Sequence, residues 1–218
     1  WTEVVPGDDL RRPEDTADDY WSELIDAGAL MRFWQIRAVS NAAPDGSLPA
    51  LGRIEAHTVD ALTGPDNPMA LASVAIPSAG VSKPPVVSRI AWGSPDGQGS
   101  RAQPAYYPVN HIVIHHTADS NSLSPGQTNW AARVRAIWSY HAITRGWGDI
   151  GYNYLIDPNG VIYEGRAGGD DAVAFHDTGN YGSMGVALIG TYSSDQPTAA
   201  AQDAGATMYF TGERHFFH

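Results

Sequence analysis

The sequence predicts an α/β fold in which a mixed central β-sheet is flanked by helices, over residues 86–218, with a partial β-sandwich-like segment before it. Apolar runs of strand length recur at 109–116, 152–156, 161–164 and 184–190. Between the first two lies 129–144, where Trp130, Val134, Ile137, Trp138 and His141 fall at helical spacing on one face. Asp157-Pro158-Asn159-Gly160 separates the second and third runs as a tight turn does. Strands alternating with helices build a sheet covered by helices.

Composition narrows the function classes. The chain has 218 residues, 43% hydrophobic and 17% charged, enough for a packed core. Twenty-four acids against 13 Lys plus Arg leave a net charge of -11. Such a surface repels nucleic acid and anionic lipid, so nucleic acid is not an expected partner. The absence of cysteine excludes disulfides, thiolate metal ligands and a thiol nucleophile within the chain. No apolar run reaches the roughly 20 residues that span a bilayer. The chain opens on Trp1, and both ends read as cuts within a longer protein. A monomer is expected.

Residues 1–60 read as a partial β-rich module. Trp1 to Val5 reads as a strand-like run closed by Pro6-Gly7, and 8–19 is an acidic loop. The stretch 20–31 reads equally as a short helix or an approach to a strand. Strands are expected at 32–39 and 51–59 by alternation, with a turn at 41–49 around Pro44-Asp45-Gly46. Trp21 and Trp34 could stack on sugars, but core packing is the expectation for both. His57 is expected to be exposed or capped, with no metal role. Residues 61–85, rich in Ala, Pro, Ser and Gly, read as an interdomain linker.

The second unit opens at 86–93, and a polar loop follows to 107. Val109 to Thr117 then ends in two histidines. Alternation puts His111, Val113 and His115 on one face and Ile112, Ile114 and His116 on the other. The run is expected in the interior of the sheet, with the helix packed across it. Imidazole is both the usual acid–base group near neutral pH and the commonest metal ligand, so the pair marks a candidate site. His111 lies roughly 13 Å from His115 along an extended strand, too far to share a metal. His116 faces away, as a packing or supporting group would, and His141 is expected in the core. The run 184–190 is apolar throughout, as a strand covered on both faces is. Residues 198–217 read as a helix with Ala206, Phe210 and Phe217 among its apolar positions.

Several segments stand in one order: V-S-R-I-A-W-G at 87–93, H-I-V-I-H-H-T-A at 111–118, G-W-G-D-I-G-Y-N-Y-L-I at 146–156, G-V-I-Y-E-G-R at 160–166 and H-D-T-G-N-Y-G-S-M-G-V-A-L-I-G at 176–190. In this order they resemble the peptidoglycan recognition protein family, the type-2 N-acetylmuramoyl-L-alanine amidases. The early segment resembles, less specifically, β-sandwich modules that precede some bacterial secreted amidases. The family resemblance implies one Zn2+, with His115 as its first ligand and a metal-bound water attacking the amide between N-acetylmuramic acid and L-alanine. It implies that Tyr152, otherwise a core aromatic, is catalytic, orienting the water or stabilising the oxyanion. It places His176 in the substrate groove with Asn180, and Trp147 and Arg166 as further groove residues. Gly179 and Gly182 are expected to serve loop conformation. The family's other zinc ligands lie near the domain's C-terminus. His215 and His218 do not match that context, so the remaining ligands are expected beyond His218. The resemblance implies a secreted or wall-associated amidase acting on peptidoglycan. Its alternative is a module that binds muropeptide without cleaving it. A third reading makes residues 1–60 a wall-adhesion module.

Overall fold

The computed structural model describes residues 34–40, 42–48, 50–61, 63–65, 83–123, 130–176 and 179–213, together with Ser22 and Ile25. Four strands form one mixed sheet: β1 (His111–His116), β2 (Tyr154–Ile156), β3 (Ile162–Glu164) and β4 (Ser183–Leu188), in the order β1-β4-β2-β3. β4 lies between β1 and β2 and pairs parallel with both, and β3 returns antiparallel to β2. The return is made by Asp157, whose Oδ1 accepts the N–H groups of Asn159 and Val161 at 2.8 and 2.9 Å. Val87 adds a parallel bridge beyond β3 at Tyr163.

Pleating sorts the side chains into two cores. On one face Leu155, Tyr163, Ala187 and Ile189 pack with Val134, Ile137 and Trp138 of helix α2 (Trp130–Ser139) and with Trp92 of the short helix α1 (Arg89–Trp92). On the other, Tyr154, Ile156, Ile162, Met184, Val186 and Leu188 pack with Ala201 and Met208 of α3 (Ala199–Glu213). β4 is buried along its whole length, as its apolar sequence requires.

A buried ion pair ties the loops to this sheet. Arg89 Nη1 lies 2.9 Å from Asp149 Oδ1, and neither side chain is exposed. Arg89 also donates to the carbonyls of Gly97 and Gly99 (3.1 and 3.0 Å), to Ser94 Oγ (3.2 Å) and to the Gly165 carbonyl. Asp149 accepts from the N–H groups of Ile150 and Ala167 at 2.8 and 3.0 Å. The desolvation cost of two buried charges is thus offset by hydrogen bonds on every side.

The structure departs from the sequence reading in several places. β1 is an edge strand among the described residues, not an interior one, and Ile114 is 49% exposed. On that face of β1, Ile112 packs against the second core. The strands expected at 32–39 and 51–59 are not formed at 34–40 or 50–60, where nearly every residue is exposed. Alternation suits a strand to a half-buried surface, and among the described residues these stretches have no partner strand to supply one. Trp34, expected in a core, is 59% exposed. The turn at 42–48 does form, closed by Ala43 and Ser47. His57 is exposed beside Glu55, as expected. On α3 the buried side carries Ala201 and Met208, while Ala206 faces solvent. Val4–Val5, Trp21, Phe217, His215 and His218, and the side chain of Phe210, lie outside the described residues.

Removing one partner of the central pair leaves the other charge buried. Arg89→Met and Asp149→Asn should each lower unfolding stability by about 3–5 kcal/mol, with the double substitution costing clearly less than the sum. Urea titration checks this, and a loss under ~1 kcal/mol, the surface-pair range, in both single variants would show that the pair is not structural.

Candidate active site

The helix expected at 129–144 is α-helical to Ser139 and ends in a π-helical turn, Tyr140–Thr144. The wider turn carries His141 into the interior, where its ring lies 4.7 Å from Trp147 and 5.6 Å from Tyr152 between centroids. His141 Nδ1 accepts the Gly151 N–H at 3.1 Å, so this nitrogen carries no proton and the neutral ring is protonated at Nε2. Burial, with the Arg145 and Arg166 charges adding to it, pushes its pKa down to about 3.

From His141 the ring contacts run on. Tyr152 lies 5.7 Å from His115, and His115 4.9 Å from His176. In the other direction Trp147 stacks on Phe175 at 6.2 Å, and Phe175 carries the Arg166 guanidinium 4.8 Å from its centroid. The outermost member, Phe175, is 46% exposed, whereas Tyr152, Trp147, Arg166 and His176 are buried. The fold thus brings His115, Tyr152 and His176 together from β1, the approach to β2 and the approach to β4.

His176 is held closely. Its N–H donates to Asn180 Oδ1 at 2.8 Å. Its Nδ1 lies 2.9 Å from His115 Nε2, and its Nε2 3.1 Å from Ser183 Oγ. Its ring occupies the space above Gly185, where a Cβ would come within 2.3 Å of it. Asn153 binds that same stretch of β4, accepting the Gly185 N–H at its Oδ1 (2.9 Å) and donating to the Ala172 carbonyl (2.8 Å). Asn180 faces inward to His176, and Arg166 donates to the Ile150 carbonyl at 3.2 Å. Burial lowers the pKa of Arg166. His116 points to the opposite face and accepts the Tyr192 N–H at 2.8 Å. Gly182 adopts φ 80, the left-handed backbone expected of it.

Sequence reading did not single out Phe175, Ser183, Arg89 or Asp149. Phe175 and Ser183 flank the His-Asp-Thr-Gly-Asn segment; Phe175 meets rings and charge from elsewhere in the chain, and Ser183 acts through contacts four and seven residues back that no periodicity marks. The site offers imidazole nitrogens, a buried phenol and an aromatic wall. Among the described residues, no group of three His, Cys, Asp or Glu side chains is placed to hold a metal ion. His115 and His176 alone do not complete a zinc site.

The arrangement is an α/β domain whose ring cluster lies against the central strand of a mixed sheet. Residues 105–210 match the N-acetylmuramoyl-L-alanine amidase family (Amidase_2). The chain is 36% identical over 119 residues to an N-acetylmuramoyl-L-alanine amidase of Homo sapiens, covering 54% of this chain and 20% of that protein. It is 32% identical over 127 residues to peptidoglycan recognition protein 1 of Bos indicus, covering 58% and 65%. Among solved structures it is similar to the complex of tracheal cytotoxin with the ectodomains of peptidoglycan recognition proteins LCa and LCx (33% identity, TM-score 0.52, 60% of this chain and 76% of that one). Peptidoglycan recognition protein LE in complex with tracheal cytotoxin is similar to the same degree (32% identity, TM-score 0.52, 60% and 74%). The chain belongs to the peptidoglycan recognition protein and type-2 amidase family. It spans between a fifth and two thirds of the length of these two curated relatives.

Two predictions follow from this packing. Because His141 is neutral when folded and titrates normally when unfolded, the unfolded chain binds the extra proton. Stability is therefore full above the unfolded pKa of about 6.5 and falls as pH drops toward about 3, by up to ~1.4 kcal/mol per pH unit. His141→Gln should flatten that part of a melting-temperature profile. Gly185→Ala should push His176 off β4 and cost at least ~1–3 kcal/mol through overpacking. The His176 ring resonances in an NMR spectrum read the displacement, and unchanged resonances would overturn it.

Proposed function

We propose that this chain binds muropeptide at the ring cluster and that, with a complete zinc site, it hydrolyses the amide between N-acetylmuramic acid and L-alanine. The observation that carries the reading is the convergence of His115, Tyr152 and His176 beside Trp147 and half-exposed Phe175. Similar structures hold tracheal cytotoxin, described for one of them as monomeric diaminopimelic acid-type peptidoglycan. Bound zinc would supply a water acidic enough to attack at neutral pH. The chain contributes His115 toward that ion. Tyr152 would orient the water or donate to the developing oxyanion. His176, Asn180, Trp147 and Arg166 would bind and orient the sugar–peptide, Arg166 through its charge and Trp147 through its ring. This substrate places the working protein outside the cell or at a wall, and no helix among the described residues is long and apolar enough to cross a membrane.

A second reading, recognition without cleavage, draws on the incomplete set of metal donors among the described residues. Both readings predict muropeptide binding, and only hydrolysis requires zinc. The test is calorimetric titration of the chain with a muramyl pentapeptide, with zinc content by elemental analysis and stem-peptide release from purified peptidoglycan. Binding weakened at least tenfold by His176→Ala is expected under both readings. Zinc-dependent release, abolished by His115→Ala, selects hydrolysis. Binding with no release selects recognition, and absence of binding overturns both.

A further inference from the structure

We propose that Ser183 is a positioning residue that fixes the tautomer of His176, so that His176 Nδ1 meets His115 as a hydrogen-bond acceptor. The inference rests on the muropeptide-binding reading of this site, and goes beyond it to how His176 is held. The Ser183 hydroxyl lies 2.7 Å from the Gly179 carbonyl, which can only accept. The single hydroxyl proton of Ser183 is therefore used there. What Ser183 Oγ has left for His176 Nε2, 3.1 Å away, is a lone pair. The proton between these two atoms must then sit on His176 Nε2. In a neutral imidazole this leaves Nδ1 with a lone pair, and the partner 2.9 Å from it, His115 Nε2, is the donor. One backbone carbonyl thus sets the direction of three successive hydrogen bonds.

The surroundings keep this order from reversing. Ser183 and His176 are 1% and 2% exposed, so bulk water does not offer an alternative partner at either atom. The ring cannot slide away from Ser183, because its main-chain N–H is tied to Asn180 and its face rests on the Cβ-less surface of Gly185. Ser183 itself is the first residue of β4, paired opposite His111 on the parallel strand that carries His115. His115 and Ser183 therefore stand on neighbouring strands of one sheet, with His176 held between them. Without the hydroxyl, His176 Nε2–H would lose the acceptor 3.1 Å away, and the balance between the two tautomers would shift toward Nδ1–H. His176 would then present a donor to the nitrogen of His115, and the pair would lose its hydrogen bond or its orientation.

The consequence is one of geometry. With Nε2–H on Ser183 and Nδ1 on His115, both ring nitrogens of His176 are engaged inside the protein, so what this order offers muropeptide is a fixed orientation of the His115–His176 pair.

The test reads the tautomer directly. In 15N-labelled chain at a pH where His176 is neutral, long-range 1H–15N correlation spectra distinguish Nε2–H from Nδ1–H. Wild type is expected to show His176 as Nε2–H. Ser183→Ala should move it to Nδ1–H or to a mixture, and weaken muramyl-pentapeptide binding at least tenfold. Ser183→Thr, which restores a hydroxyl at the same position, should recover both. A merely structural role would lower the melting temperature of Ser183→Ala without changing the tautomer, and that outcome overturns the proposal. So does a wild-type His176 protonated at Nδ1. If Ser183→Ala does not fold, the wild-type spectrum and Ser183→Thr decide. If wild type binds no muropeptide while His176 is Nε2–H and shifts in Ser183→Ala, the positioning role stands and the functional reading falls.

Discussion

The Arg89–Asp149 pair is the constraint on which the rest of this domain depends. Arg89 stands at the start of a four-residue helix, too short to hold itself together. Asp149 stands in a glycine-bounded loop with no regular structure of its own. Joined inside the protein, they fasten the 94–99 loop, the 148–151 turn and the chain leaving β3 to a single point. Tyr152 follows Asp149 by three residues and Trp147 precedes it by two. The ring cluster is therefore braced by a charge pair that lies outside the rings themselves.

Placement of the site then follows from two close approaches. Gly185 lets an imidazole lie directly on β4, and Gly151 brings the backbone against Trp147 and Phe175. Neither contact is possible with a larger side chain unless the neighbours move. The central strand of the sheet is thus both the most apolar element and the floor of the polar site. This works because its two faces are used differently, one against α3 and the other beneath His176.

Much of this was legible in the sequence and some was not. Alternation assigned the faces of β1 correctly, and separated His115 from His116 before any coordinates. The apolar run of β4, the Asp-Pro-Asn-Gly turn and the stripe of α2 all form as their spacing demands. The edge position of β1 was not legible, since an apolar strand with neighbours on both sides has the same composition as one with a neighbour on one side. The absent strands at 34–40 and 50–60 show the same limit from the other direction. Local pattern states a preference, and only a partner satisfies it. The family motifs brought His115, Tyr152 and His176 into view. Ser183 stayed hidden because its role lies in a 3.1 Å contact with a histidine seven residues earlier, across a turn that no periodicity describes.

The π-helical end of α2 gives the site an unusual dependence on chain length. A π turn holds one residue more than an α turn, so His141 reaches Tyr152 because of a residue count rather than a residue type. Many side-chain changes on the outer side of Tyr140–Thr144 would leave that count intact. Loss of a single residue there would let the segment close as an α turn and remove the widening that carries His141 to Gly151 and Trp147. In lineages related to this chain, insertions and deletions at this turn are therefore a stronger mark of an altered site than substitutions are.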